Sequence, residues 1–174
     1  MINLIDQQAT EKAIWWLGET KGFWVQTGAF IISAVGGVWI VFSRSRTERR
    51  RATVDLVLHQ RSDRELKNAK KTMRKLREDG QRNFAIYLPQ KDGVEYKAIM
   101  SILNTHEFVA GGIREKAYDE ELYKRMQCSV TVRDWDDFSG FVAEFRNAKG
   151  KTFYQDFEWL AKKWKKDPLK PSKD

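Results

Sequence analysis

Gly22–Arg51, GFWVQTGAFIISAVGGVWIVFSRSRTERRR, runs twenty-two residues without a charge and then places five arginines in eight positions. Three readings compete for it: a membrane anchor with its topology signal, a buried core helix beside a nucleic-acid patch, and a cleavable export signal. At about 1.5 Å per residue, twenty-two helical residues cover roughly 33 Å, enough for a hydrocarbon layer of about 30 Å. Fourteen of the twenty-two are apolar and four are glycine, and Trp24 and Trp39 stand near the ends, where indole rings favour the headgroup region. A soluble domain of this size rarely encloses six turns of all-round apolar helix, so the stretch reads as a membrane helix, 22–43.

The flanks orient it. Residues 1–21 carry two lysines against Asp6, Glu11 and Glu19, a net −1, whereas 44–51 carry Arg44, Arg46, Arg49, Arg50 and Arg51 against Glu48, a net +4. The positive-inside rule then puts the arginines on the cytoplasmic side and translocates the N-terminal segment. A cleavable signal needs a basic leader and a short apolar core, the opposite of what is written here. Ala13–Leu17 in the translocated segment clusters apolar side chains beside the bilayer, as a short interfacial turn or as a tail with two interfacial tryptophans.

Two sets of residues in this stretch invite function. Ala29, Ser33 and Gly37 recur every four residues with Gly36 beside them, a ridge of small side chains through which two membrane helices could approach closely and form a homo-oligomer. The arginines are each worth about 1 kcal/mol near an anionic leaflet, which makes the lipid bilayer their natural partner. Nucleic acid is an unlikely one, because no aromatic stacking platform interleaves with the basic run.

Beyond the anchor the pattern is helical throughout. Residues 44–61 continue the helix as a basic juxtamembrane segment, and Ser62–Glu65, SDRE, reads as a capping box before the stripe Leu66, Ala69, Met73, Leu76. Gly80–Gly93, with Pro89, reads as a loop. Ile99, Ile102, Leu103, His106, Ala110 and Ile113 share one face of the next helix. Asp119 then caps a helix with Tyr118 and Tyr123 as a hydrophobic staple, and RDWDD reads as a corner before the stripe Phe138, Phe141, Val142, Phe145. Phe153, Phe157, Leu160, Ala161 and Trp164 form the last stripe, and 167–174, with two prolines, reads as a disordered tail.

Candidate chemistry is sparse. Asn104, His106, Glu107 and Arg114 form a polar cluster on or near one apolar face, open to an acid/base reading or to a structural one in which they satisfy buried polar groups. The second histidine, His59, has no metal-ligand spacing to His106, so neither a metal nor a cofactor site is expected, and no catalytic residue is assigned. Phosphate-binding glycine loops, nucleophile elbows and zinc-protease motifs do not occur, which disfavours an enzyme. The single cysteine, Cys128, fits a reducing compartment.

Three blocks carry a family likeness: RRRATVDLVLHQRSD at 49–63, ILNTHEFVAGGIREKAYDEELYKRMQ at 102–127 and YQDFEWLAKKW at 154–164. With them the chain resembles, over roughly Gly22–Trp164, the bacterial membrane-anchored proteins grouped as DUF4760, a domain of unknown function. The resemblance implies a membrane helix followed by a cytoplasmic helical domain and brings no catalytic residues with it. The expected architecture is therefore all-α: a single transmembrane helix continuing into a cytoplasmic helical bundle, 62–166, at a bacterial inner membrane. Two functions fit it: a membrane-tethered interaction or scaffold module with a cytoplasmic protein partner, and an oligomerising membrane effector in a stress or phage response.

Overall fold

The computed structural model describes residues 21–169, without the side chains of residue 21 and residues 41–43. The expected N-terminal segment with its Ala13–Leu17 cluster and the last five residues of the tail lie outside the described residues. Every regular element described is helical: α1 (Lys21–Ser62), α2 (Arg64–Glu78), a 3₁₀ turn (Phe84–Tyr87), α3 (Val94–Arg114), α4 (Glu120–Lys149) and α5 (Gln155–Lys166). The fold is an all-α, multi-helix bundle.

The chain divides into two units, one ending at Arg46 and one starting at Thr47. In the first unit, α1 presents apolar side chains on all sides: Phe30, Ile32 and Trp39 are 75%, 74% and 72% exposed. This is the one helix among the described residues long and apolar enough to cross a membrane. Glycines at 28, 36 and 37 each disfavour a helix in water by about 1 kcal/mol, yet are common in helices that live in lipid.

In the second unit each helix buries one stripe. The last turns of α1 bury Thr53, Val57 and Gln60. The Thr53 hydroxyl donates to the Arg49 carbonyl at 2.7 Å and accepts from the Asp119 amide at 2.8 Å, tying α1 to the start of α4. Helix α2 starts one residue later than SDRE suggests: Asp63, not Ser62, is the N-cap, accepting from the Leu66 amide, while Ser62 donates backward to the His59 carbonyl. Asp63 prevails because its backbone is extended, as an N-cap must be, whereas Ser62 still lies within α1. The expected 80–93 loop contains the 3₁₀ turn, which drives Phe84 into the core edge-on against Phe138 at 5.5 Å.

Two residues beyond the end of α3 Lys116 is left-handed, and the return of the chain brings Tyr118 so close to Gly112 that a Cβ there would overlap its ring. Tyr118 tilts against Phe108 and Tyr123 against Trp164, so the two tyrosines of the expected staple take different ring partners. The RDWDD corner does not form: α4 runs through it unbroken for 30 residues. The segment holds no proline or glycine, and its acids are held by Arg77, His106 and Lys165, which leaves nothing to break the helix.

Two hydrophobic clusters result. The larger joins α2, the Phe84 turn, the N-terminal half of α3, the later turns of α4 and the start of α5, around Met73, Ile99, Leu103, Phe138 and Phe157. The smaller joins Val57 of α1, Val109 and Ile113 of α3, Tyr123 and Cys128 of α4, and Leu160 and Trp164 of α5. Between Leu103 and Val109 on α3, and between Cys128 and Trp135 on α4, the seam of the two clusters is polar.

Candidate functional site

The seam is occupied by His106 and Asp134. His106 is 8% exposed, Asp134 3%. The imidazole Nε2 stands 3.0 Å from Asp134 Oδ2, and the ring stacks on Phe157 with centroids 4.4 Å apart. Asp134 Oδ1 accepts from Arg77 at 2.9 Å and from Arg133 at 3.1 Å, and Arg77 Nε donates to Asp137 at 2.7 Å. Burial alone would raise the Asp134 carboxyl, but the His106 hydrogen bond and the charges of His106, Arg77 and Arg133 outweigh it and hold it below the usual carboxylate range. An ionised carboxylate can only accept, so His106 Nε2 carries a proton.

Helix α2 and helix α4 both pack on α3, and Arg77 of α2 reaches across to Asp134 and Asp137 of α4. Beside this bridge lies a cleft of about 410 Å³ lined by six cationic side chains, by Asp134 and Gln127, and by Ile102 and Val130. Partial burial is the main reason that the Lys70 ammonium titrates below its ordinary value, with the Arg61 charge acting in the same direction.

The four residues expected to cluster on α3 take separate tasks. His106 turns to α4, as above. Asn104 accepts from the Tyr154 hydroxyl at 3.0 Å, Glu107 accepts from the Phe157 and Asp156 amides at 2.8 and 3.3 Å, and Arg114 pairs with Asp156 while its guanidinium lies 4.6 Å from the Trp159 ring centre. Those three follow one helical stripe and meet the start of α5. Gly111 on the same stripe leaves 3.3 Å between the place of a Cβ and Asp156 Oδ2. Glu107 thus caps a helix in place of a local residue, because the preceding Tyr154 is left-handed, with φ 58° and no capping oxygen of its own. Burial, reinforced by Asp156, raises the Glu107 carboxyl in spite of the two amide hydrogen bonds. Burial likewise pushes the Tyr154 phenol up to about 12.

Among the arginines read as headgroup ligands, Arg50 pairs with Asp119 at 3.3 Å, and Arg44, Arg46 and Arg51 are exposed. Ala29, Ser33 and Gly37 are exposed and Gly36 half-buried. Among the described residues no three His, Cys, Asp or Glu side chains gather as metal ligands would. Asp134 and Arg77 were missed in the sequence, although the signal was there for one of them: Thr131, Asp134, Phe138, Phe141 and Phe145 fall on one helical stripe, so Asp134 interrupts apolar positions just as His106 does.

An all-helical bundle with a buried polar seam and one long apolar helix defines the class. The chain belongs to the DUF4760 family, a domain of unknown function, whose family model matches residues 25–164. No curated protein and no solved structure matches the chain.

Proposed function

We propose that this DUF4760 protein is a single-pass membrane-anchored module of a bacterial inner membrane, with 22–43 spanning the bilayer, the N-terminal segment translocated, and 44–61 leading into a cytoplasmic protein-interaction domain, 62–166. One observation carries the reading. Ten large apolar side chains between Phe23 and Ile40 are exposed along a helix long enough to cross a bilayer. In water such a surface would far exceed the apolar patches of a few hundred Å² that soluble monomers tolerate, whereas lipid covers it without cost. The arginines after it supply the cytoplasmic retention signal. An interaction role suits the domain, since Asn104, Glu107 and Arg114 are engaged in holding α3 to α5 and His106 in holding α4.

The test is proteolysis of spheroplasts containing the full chain. Protease added outside should leave the domain intact until the membrane is lysed; digestion before lysis would overturn the topology.

The oligomerising effector is the second reading. It is favoured by open space at Gly28, Gly36 and Gly37, where an added Cβ would meet nothing within 4 Å. Crosslinking of the full chain in membranes should yield dimers or larger species that Gly37→Leu removes; monomer alone in the parent chain would eliminate self-association through Ala29, Ser33, Gly36 and Gly37.

A further inference from the structure

The cleft between α2 and α4 has a composition that the membrane reading does not use. Lys67, Lys70, Lys71, Arg74 and Arg77 stand at i, i+3, i+4, i+7 and i+10, so they form a single stripe of α2 beside the buried stripe Leu66, Ala69, Met73. Like charges at these spacings repel and destabilise a helix. A merely solvated face would be served as well by mixed signs, as at Arg125 and Glu121 on α4. None of the ion pairs among the described residues uses Lys67, Lys70, Lys71 or Arg74. From the other wall Arg133 adds a sixth cation, its guanidinium held to Asp134 and its side chain 55% exposed.

The one carboxylate in the lining, Asp134, does not neutralise the cleft. It is already shared among His106, Arg77 and Arg133, and so acts as a brace that fixes two guanidinium groups in place. A concave site of about 410 Å³ is within the usual range for small molecules. Its chemistry selects the ligand. Planar guanidinium groups match phosphate oxygens bidentately and ammonium groups add point charge, while no aromatic ring lines the cleft to stack the successive bases of a single-stranded nucleic acid.

We propose that the cleft between α2 and α4 binds a soluble organic polyphosphate, with Lys70, Arg74 and Arg133 as direct ligands of the phosphate groups and Asp134, backed by His106, as the residue that positions Arg77 and Arg133. The half-buried Val130 beside them, with Gln127, takes the organic part. Partial burial of the Lys70 ammonium fits a site that gains from an anion. The assignment does not depend on whether 22–43 crosses a membrane.

The test is calorimetric titration of the full chain in neutral detergent micelles with ATP, inorganic triphosphate, AMP and orthophosphate. One saturable site is expected, with ATP and triphosphate binding at least tenfold more tightly than AMP or orthophosphate and weakening as salt rises. Lys70→Glu with Arg74→Glu should weaken ATP at least tenfold, and Arg133→Ala several-fold, with thermal unfolding retained because these side chains are exposed. Lys97→Glu with Lys149→Glu makes the same charge change away from the cleft and should shift ATP affinity less than twofold. Equal loss in both double variants, or no saturable heat with either polyphosphate, would overturn the proposal. So would two competitors: displacement of ATP by a single-stranded oligonucleotide at equal phosphate concentration would assign the cleft to nucleic acid, and displacement by phosphatidylglycerol vesicles at equal phosphate concentration would assign it to a lipid headgroup.

Discussion

Phe30 and Phe138 are the same residue type in helices of the same chain, yet one is 75% exposed and the other 0%. Around Phe30 every face of α1 is apolar, so no stripe distinguishes an inside. Around Phe138 the apolar positions recur at three and four, and the remaining faces are charged. Apolar content therefore does not decide burial by protein; periodicity does. The first unit exposes large apolar side chains along its helix, whereas in the second each helix turns one apolar stripe to its neighbours and polar side chains to solvent.

Truncations should split the two regions most sharply. Trp164→Ala empties a site 1% exposed and should destabilise the second unit by about 3–5 kcal/mol, while Phe30→Ala should change its unfolding by less than about 0.5 kcal/mol, both read by thermal denaturation of the full chain in detergent. An equal effect of the two would erase the distinction.

Asp134→Ala comes next. It strands a buried histidine and Arg77 and should cost about 3 kcal/mol or more. The pH dependence has a definite sign. Because the folded carboxyl lies below its ordinary value, its stabilisation is present above about pH 3.9 and is lost as pH falls through the folded value. Asp134→Asn should accordingly flatten the acid end of the stability profile below about pH 4.

Glu107→Ala removes the acceptor for two amides at the start of α5 and should cost about 1–2 kcal/mol. Glu107→Gln keeps an acceptor and removes a pH effect whose sign is opposite to that of Asp134. The raised Glu107 carboxyl stabilises fully below about pH 4.3 and loses that contribution as pH rises through its folded value. Relative to the parent chain, the glutamine variant should therefore fare better at pH 7 than at pH 4, as melting temperatures at the two pH values would register. At the small end, Glu121→Ala breaks an exposed i,i+4 pair with Arg125 and should shift stability by no more than about 0.5 kcal/mol.

Much of this was legible in the sequence. The apolar stripes of α2, α3, α4 and α5 name most of the buried residues, since a helix facing one core must repeat at 3.6. Local chemistry was read less well. RDWDD looked like a corner because its acids were judged alone, whereas Arg77, 57 residues before Asp134, makes them compatible with helix interior. The polar residues of α3 looked like one cluster because they are close along the chain. Helix α3 packs against both α4 and α5, so neighbouring side chains diverge: His106 to α4, Asn104, Glu107 and Arg114 to the start of α5. The cleft was visible only as scattered basic residues on the outer faces of α2, and Arg133 joins them through tertiary packing alone.

The most direct test of the difference between the two regions is membrane retention of the full chain carrying Ile32→Lys and Val35→Lys. Each lysine at the middle of a spanning helix opposes insertion by about 2.5–3.5 kcal/mol. After alkaline washing of membranes, the parent chain should remain in the pellet and the variant should be released, with the melting temperature of its second unit unchanged. A parent chain released by the wash, or a variant released only because that unit no longer folds, would contradict the account.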